Sequence, residues 1–162
     1  MIKNSILLCT YNEGKYIKDT ISNLYNFIPD LEIIIVDDNS TDETLSIINN
    51  LKKDYNLKII SRLQSQGLGS AFQRALIESQ GDNIGWIDTN MGELANMFPN
   101  MISELNNYDL ILLSRYVKGG SDKRIFMRVI CSKLINIFCR LILSNKIKDF
   151  TSSIFIMKRK IL

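Results

Sequence analysis

The stretch Ile33-Ile34-Ile35-Val36-Asp37-Asp38-Asn39-Ser40-Thr41-Asp42-Glu43-Thr44 decides the fold class. It begins with four consecutive β-branched residues, a run that is typical of a strand buried on both faces of a parallel sheet. Ser40, followed three residues later by Glu43, predicts a capping box at the start of the next helix. We therefore expect Asp37 and Asp38 at the carboxyl end of a parallel strand.

The carboxyl edge of an open α/β sheet is where such proteins bind their ligands, and acidic residues there commonly hydrogen-bond ribose hydroxyls or base donors. The same two carboxylates are compatible with a solvated turn that only precedes a helix. This stretch alone leaves both interpretations open.

Strands and helices alternate along the rest of the chain. Short apolar strands are predicted at 5–10, 31–36, 57–60, 83–87 and 108–114, and helical periodicity at about 17–28, 41–53, 67–79 and 97–105. This rhythm gives βαβ units and a mostly parallel sheet. The predicted fold class is therefore α/β, in a single domain that spans residues 1–162.

The chain contains no histidine, and its three cysteines, Cys9, Cys131 and Cys139, lack C-x-x-C spacing. The missing histidine excludes a Ser-His-Asp triad, a histidine general base and a histidine-containing zinc site. An odd number of cysteines without a recognisable secretory signal favours reduced thiols in a cytosolic protein. Any chemistry must use carboxylates, basic groups, hydroxyls or a hard metal ion.

The net charge of +3 conceals a strong asymmetry along the sequence. Residues 1–114 carry 8 Lys and Arg against 15 Asp and Glu, whereas residues 115–162 carry 12 against 2. An anionic partner for the last third would explain this division, and nucleic acid, a phosphorylated substrate and an anionic membrane surface all fit. A solvated basic helix face fits as well.

A basic amphipathic helical part is predicted at about 121–145. From Lys123 to Leu143 a broad apolar face is interrupted by Arg128, Lys133 and Arg140. Because no window of about 18 apolar residues escapes these charges, the segment does not qualify as a membrane span. Its apolar face could pack against the sheet or lie on a membrane surface, and the sequence does not separate the two.

Six segments, taken in order, resemble the family-2 glycosyltransferases of the GT-A fold, and among them the dolichol-phosphate mannose synthase and polyprenyl-phosphate hexosyltransferase branch. The resemblance spans nearly the whole chain and implies a three-layer α/β/α architecture with a mostly parallel central sheet. The segments are Thr10–Glu13, Val36–Asp42, Gly67–Phe72, Trp86–Asn90, Leu113–Tyr116 with Gly119-Gly120, and Lys148–Ser153.

The resemblance implies a donor site for a nucleotide-diphosphate sugar. The residues that it assigns to the donor are Thr10, Tyr11, Glu13, Asp38, Gly67 and Asp88. It also implies a Mg²⁺ or Mn²⁺ ion at Asp88, Asn90 and Glu93, which would neutralise charge on the departing nucleoside diphosphate.

The acceptor that the resemblance implies is a polyprenyl phosphate, already an anion near neutral pH, so that no strong general base is required. Arginine suits this acceptor because its planar donor fork binds phosphate oxygens in pairs. The acceptor-phosphate residues implied are Arg115, Arg128, Lys133 and Ser152, and Asp88, Arg115 and Arg128 are implied to be catalytic. In-line attack would invert the anomeric centre.

The chain departs from the family pattern at four positions. Asn90 replaces the second carboxylate of the usual Asp-Ala-Asp, Gly92 the usual Gln, Ser or His, Cys9 a proline, and Ser153 a glycine. The first two changes weaken a metal site, although Mg²⁺ often needs only one or two carboxylates besides substrate phosphates.

The sequence supports three functional hypotheses. The leading one is hexosyl transfer to a polyprenyl phosphate by a cytoplasmic protein in peripheral contact with the membrane. The others are transfer to a sugar hydroxyl in surface-polysaccharide assembly, and a non-catalytic module that binds nucleotide or lipid phosphate. No nucleic-acid partner is expected, because the basic segment contains no recognised binding motif.

Overall fold

The computed structural model describes residues 3–64, 67–120, 122 and 125–162. Within them the strands are β1 (Asn4–Thr10), β2 (Leu31–Asp37), β3 (Leu57–Ser61), β4 (Asn83–Trp86), β5 (Leu110–Leu112) and β6 (Phe155–Lys158). The helices are α1 (Gly14–Phe27), α2 (Thr44–Leu51), α3 (Leu68–Glu78), α4 (Phe98–Glu104) and α5 (Phe126–Ile142). Two 3₁₀ segments, Thr89–Met97 and Arg159–Ile161, complete the order.

The strands form one sheet in the order β3-β2-β1-β4-β6-β5. The pairs β1·β2, β1·β4 and β2·β3 are parallel. Along β5 and β6 the hydrogen bonds run from Leu113 to Ile154 and from Lys158 to Asp109, which makes this outer pair antiparallel. The predicted α/β class with a mostly parallel sheet is confirmed.

Strand β2 is buried along its whole length, as its unbroken run of β-branched residues predicts. In the register of β1 and β2, Thr10 lies opposite Asp37. The two strands therefore end side by side, and the loops that follow them meet at one edge of the sheet. This edge carries the donor-side residues that the resemblance assigns.

The predicted capping box is wrong. Helix α2 begins at Thr44, and the residue before it, Glu43, makes no side-chain capping bond. The Ser40 hydroxyl instead donates to Asp37, at 2.5 Å from Oδ2. Asp42 takes the capping role, because its Oδ1 accepts the Thr44 N–H at 3.0 Å and the Thr44 hydroxyl at 2.5 Å. The first turn of α2 is therefore capped by Asp42 and not by Ser40.

The chain divides into two compact units. One comprises residues 1–111 together with 156–162, and the other comprises residues 112–155. The single catalytic domain expected from the sequence stays a prediction. Helix α5 agrees with the helical part predicted at about 121–145, of which Ser121, Lys123 and Arg124 lie outside the described residues. Among the described residues, no helix is both long and apolar enough to cross a bilayer.

Candidate functional site

A cavity of about 310 Å³ opens at the carboxyl edge of the first unit's sheet. It brings together five of the six donor-side residues that the sequence analysis assigns: Thr10, Tyr11, Glu13, Asp38 and Asp88. Cys9, Leu68, Ala71, Thr89 and Asn90 complete its lining. Gly67, the sixth assigned residue, directly precedes Leu68 at the start of α3, where its φ of 85° suits glycine.

The loops after β1 and β2 are tied together by hydrogen bonds. The Asn12 side-chain oxygen accepts the Thr41 N–H at 2.8 Å, and the Asn12 N–H donates to the Ser40 hydroxyl at 2.9 Å. One residue further along, the Glu13 N–H donates to the Thr44 hydroxyl at 2.9 Å. These bonds fix one wall of the cavity before any ligand binds. Sequence analysis did not assign a role to Asn12. Its place in the loop directly after β1, at the edge where the strands end, is the signal that could have identified it.

Asp37 and Asp38 have different roles. Asp37 is fully buried and accepts hydrogen bonds from the Thr10 hydroxyl at 2.8 Å and from the Ser40 N–H at 2.9 Å. Asp37 therefore organises the turn. The Thr10 hydroxyl uses its only proton to bond to Asp37. Asp38, by contrast, lines the cavity together with Glu13 and Asp88.

Arg62 is a site residue that sequence analysis missed. It directly follows β3, and its Nε and Nη2 donate to the two oxygens of Asp38 at 2.5 and 2.7 Å. Its Nη1 donates to Ser70, in the first turn of α3, at 2.7 Å. Hydrogen bonding to Asp38 raises the pKa of Arg62. The position immediately after a parallel strand, at the same edge as Asp38, is the signal that could have identified it.

The cavity is acidic despite Arg62. Burial raises the pKa of Glu13, and the neighbouring carboxylates of Asp88 and Asp42 raise it further. The pKa of the Cys9 thiol is raised to about 12, chiefly by burial and then by Asp38. Cys9 is therefore a protonated, unreactive thiol near neutral pH. A diphosphate entering this cavity would meet negative charge and would need a cation.

The predicted metal residues are only partly brought together. Asp88 and Asn90 line the 310 Å³ cavity, whereas Glu93 lines a neighbouring cavity of about 190 Å³ that Asn90 also borders. In the described part of the chain, no three His, Cys, Asp or Glu residues are placed to hold a metal ion. Gly92 is buried against α1, and an added Cβ would lie 2.7 Å from the Cα of Thr20. Larger side chains cannot occupy this position on the present backbone.

In the second unit, Arg115 is held by a buried carboxylate. Its Nε and Nη2 donate to the two oxygens of Asp149 at 2.8 and 2.9 Å, and Nη2 also donates to the Thr151 carbonyl at 2.7 Å. Burial alone would raise the pKa of Asp149, but hydrogen bonds from Arg115 and Thr151 outweigh it and leave that pKa below its ordinary value. Ser152, assigned to the acceptor, donates its hydroxyl to the Leu113 carbonyl at 2.6 Å.

Helix α5 turns its polar stripe inward and its apolar face outward. Ser132 and Asn136, one turn apart, are buried, while Arg128 and Lys133 are exposed. The apolar side chains that are at least half exposed are Phe126, Met127, Leu134, Ile135, Ile137, Phe138, Leu141 and Ile142. This face therefore does not supply a core.

Comparisons with known proteins agree with this geometry. The family model described as Glycosyl transferase family 2 matches residues 5–162. A dolichol-phosphate mannosyltransferase of Pyrococcus furiosus is 32% identical over 166 aligned positions, which cover 99% of this chain but 47% of that protein. The chain thus spans about half the length of this relative.

Two solved structures have a similar fold. S. aureus TarS in complex with UDP is 26% identical, with a TM-score of 0.59 over 68% of this chain and 34% of that one. Glucosyl-3-phosphoglycerate synthase from Mycobacterium tuberculosis, in complex with Mn²⁺, UDP and glucosyl-3-phosphoglycerate, is 21% identical, with a TM-score of 0.73 over 99% of this chain and 58% of that one. The predicted GT-A fold is confirmed.

Proposed function

The chain belongs to glycosyl transferase family 2, and from that premise we propose that it transfers a hexose of mannose or glucose type from a nucleotide-diphosphate sugar to a polyprenyl phosphate. The observation that carries the proposal is the convergence of Thr10, Tyr11, Glu13, Asp38 and Asp88 on one cavity at the carboxyl edge of the sheet. The similarity to a dolichol-phosphate mannosyltransferase along 99% of the chain supports the lipid-phosphate acceptor.

On the donor side, Asp38 accepts hydrogen bonds from the nucleoside, and Arg62 keeps both carboxylate oxygens in a fixed orientation. An ionised carboxylate has about four acceptor sites on its two oxygens, more than the two bonds from Arg62 use. Tyr11, 61% exposed at the cavity, offers a ring against which the base stacks. Arg62 thereby fixes the acceptor atoms in advance of nucleotide binding.

The residues present fit a divalent cation that is shared with the donor. Asp88 supplies one carboxylate and Asn90 one amide oxygen to the same cavity. Mg²⁺ commonly takes one or two carboxylates and completes its shell with substrate phosphates and water. A divalent ion held there would supply positive charge to offset the charge of the departing nucleoside diphosphate. Asp88 would hold the ion, and Asn90 would bind it more weakly than a second carboxylate would.

On the acceptor side, the lipid phosphate is the nucleophile and needs cations rather than a base. Arg128 and Lys133 are exposed on α5 and are available to its oxygens. Arg115 contributes through Nη1, which makes no hydrogen bond to any residue that the structure describes. Attack from the face opposite the leaving diphosphate inverts the anomeric centre.

The outward apolar face of α5 is the surface that meets the acceptor's membrane. Exposed Phe138 and Leu141, with 65% and 82% of their surface accessible, would enter the acyl boundary. The 12 basic residues of residues 115–162, against 2 acidic ones, complement an anionic leaflet. A cytoplasmic protein held peripherally at the membrane is the arrangement that we propose.

A donor screen tests the proposal. The full chain is incubated with polyprenyl phosphate, Mg²⁺ or Mn²⁺ and each common labelled nucleotide sugar, and the lipid phase is analysed by mass spectrometry. A glycosylated polyprenyl phosphate from one donor is the expected result. No glycolipid from any donor would refute the proposal.

A second candidate function is non-catalytic binding of nucleotide, and Asn90 is the observation that favours it. Position 90 carries an amide, and Glu93 lines a different cavity. Of the three residues assigned to the metal, Asp88 is therefore the one carboxylate in the 310 Å³ cavity. Calorimetry with a nucleoside diphosphate separates the two functions. Metal-independent binding, with turnover appearing only in Asn90→Asp, would support the binding module; Mn²⁺-dependent binding by the native chain would support the enzyme.

A further inference from the structure

Helix α5 is seated in its unit by polar contacts. Its polar stripe consists of residues spaced four apart, Arg128, Ser132, Asn136 and Arg140. Ser132 and Asn136 are buried, whereas Arg128 is exposed. At the centre of this stripe Asn136 is fully buried. Because the apolar face points outward, the hydrogen bonds of this amide help to hold α5 in place.

Asn136 uses both ends of its side chain. Its Oδ1 accepts the Phe150 N–H at 2.6 Å. Its Nδ2 donates to the Ser132 carbonyl in the preceding turn at 2.8 Å and to the Thr151 hydroxyl at 3.2 Å. It also lies 3.5 Å from Oδ1 of Asp149. One side chain therefore connects α5 to three consecutive residues, 149–151.

The same three-residue segment holds Arg115. Asp149 accepts two hydrogen bonds from the Arg115 guanidinium group. Thr151 accepts two more from Arg115, through its carbonyl oxygen at 2.7 Å and its hydroxyl oxygen at 2.8 Å. The Thr151 hydroxyl also donates to Oδ1 of Asp149 at 2.8 Å, which aligns the two acceptors. Asp149 and Thr151 thus stand between Asn136 on the helix and Arg115 on the preceding loop.

We propose that Asn136 is a positioning residue for the acceptor phosphate: through Asp149 and Thr151 it fixes the spacing between Arg115 and Arg128. This inference rests on the proposed function. Arg128 lies two turns before Asn136 on the same helix. The hydrogen bonds of Asn136 hold the helix in place and therefore also determine the position of the Arg128 side chain. Two guanidinium groups bind one phosphate well only at a fixed separation, and a displacement of about 1 Å can cost on the order of a hundredfold in rate. Asn136 itself does not touch the phosphate.

The Asn136→Asp variant tests the inference, because it keeps the size of the side chain and removes the Nδ2 donors. We expect the KM for polyprenyl phosphate to rise on the order of ten- to a hundredfold, while the nucleotide affinity and the KM for the donor stay unchanged. The defect should shrink at lower pH, because a proton shared between the carboxylates of positions 136 and 149 restores a donor there. Asn106→Asp, at an exposed position of the first unit, is the matched control and should behave as the native chain does.

Two outcomes would overturn the inference: an unchanged acceptor KM in folded Asn136→Asp, or equal losses for acceptor and donor. If the variant does not fold, hydrogen exchange of the native chain decides. Farnesyl phosphate should slow exchange of the Phe150 amide, which donates to Asn136, and nucleotide alone should not. No slowing would contradict the inference. If the native chain yields no glycolipid from any donor, the proposed function fails instead.

Discussion

Arg62 binds both carboxylate oxygens of Asp38, and the side chains of the two residues are only 13% and 15% exposed. The pair joins the end of β3 to the end of β2, beside the cavity that Asp38 lines. Bidentate pairing with an arginine fixes the plane of the carboxylate, which a lysine could not do. Nucleotide recognition by Asp38 should therefore depend on Arg62.

The first prediction concerns this pair. Asp38→Ala should lose nucleotide affinity by about 1–3 kcal/mol, as expected when a buried hydrogen-bonded carboxylate is removed. Arg62→Ala should lose a comparable amount, because Asp38 is then no longer oriented. The double variant should lose much less than the sum, since the two side chains act as one unit. Calorimetry with the nucleoside diphosphate measures all three.

Arg74→Ala provides the control for that series. Arg74 pairs with Glu78 on the exposed side of α3, where its side chain is 50% accessible, and exposed pairs contribute little. Its nucleotide affinity should equal that of the native chain. Native affinity in Asp38→Ala would remove Asp38 from the site.

The second prediction separates two arginines assigned to the acceptor. Arg115→Ala leaves the buried carboxylate of Asp149 without its cation and should lower the free energy of unfolding by about 3–5 kcal/mol. Arg128→Ala removes an exposed side chain and should change stability by no more than about 0.5 kcal/mol. Denaturant unfolding distinguishes them.

Both arginine variants should keep nucleotide affinity and lose transfer to the lipid phosphate. Loss of nucleotide binding with intact transfer in Arg115→Ala would mean that the donor and acceptor sides are reversed. The stability difference between the two variants is independent of that result.

The third prediction concerns pH. The pKa of Asp149 is depressed in the folded state, whereas in the unfolded chain it returns to its ordinary value. Its ionised form therefore stabilises the fold above that value, and this contribution is lost as the pH falls through the folded-state pKa. The stability difference between the native chain and Asp149→Asn should be constant near neutral pH and shrink in acid. A difference that grows in acid would contradict the assignment.

The fourth prediction concerns the outward face of α5. Ile137→Glu should weaken binding to vesicles that contain anionic lipid by at least about tenfold, because it places a charge on the exposed apolar surface that would enter the bilayer. Ile77→Glu, at an exposed isoleucine on α3, should bind as the native chain does. Sedimentation with vesicles is the measurement. Equal binding by both variants would show that α5 does not face the membrane, and self-association lost in Ile137→Glu would point to a second copy instead.

Much of the first unit could be predicted from periodicity. The uninterrupted β-branched run of β2 gave a correct strand because burial on both faces imposes that composition. The capping box was wrong because Ser40 hydrogen-bonds to Asp37 in the turn after β2, and Asp42 accepts the N–H of Thr44 instead. Arg62 was missed because its partner Asp38 is 24 residues away and only the sheet brings them together.

The second unit was less predictable. The helical spacing of apolar residues on α5 identified the helix. It did not show that the polar stripe faces inward. That orientation depends on Asp149 and Thr151, which accept from Arg115 and contact Asn136. Periodicity reports that a helix has two faces, and long-range hydrogen bonds decide which of them is buried.

A comparison of two acceptors shows whether the lipid phosphate is the nucleophile. With the donor identified, the full chain is given polyprenyl phosphate or the polyprenol of the same length, and the products are identified by mass spectrometry and by the anomeric configuration of the sugar. We expect one inverted glycosyl phosphate from the first acceptor and no product from the second. Equal transfer to the polyprenol, or transfer only to a soluble sugar hydroxyl, would contradict this expectation.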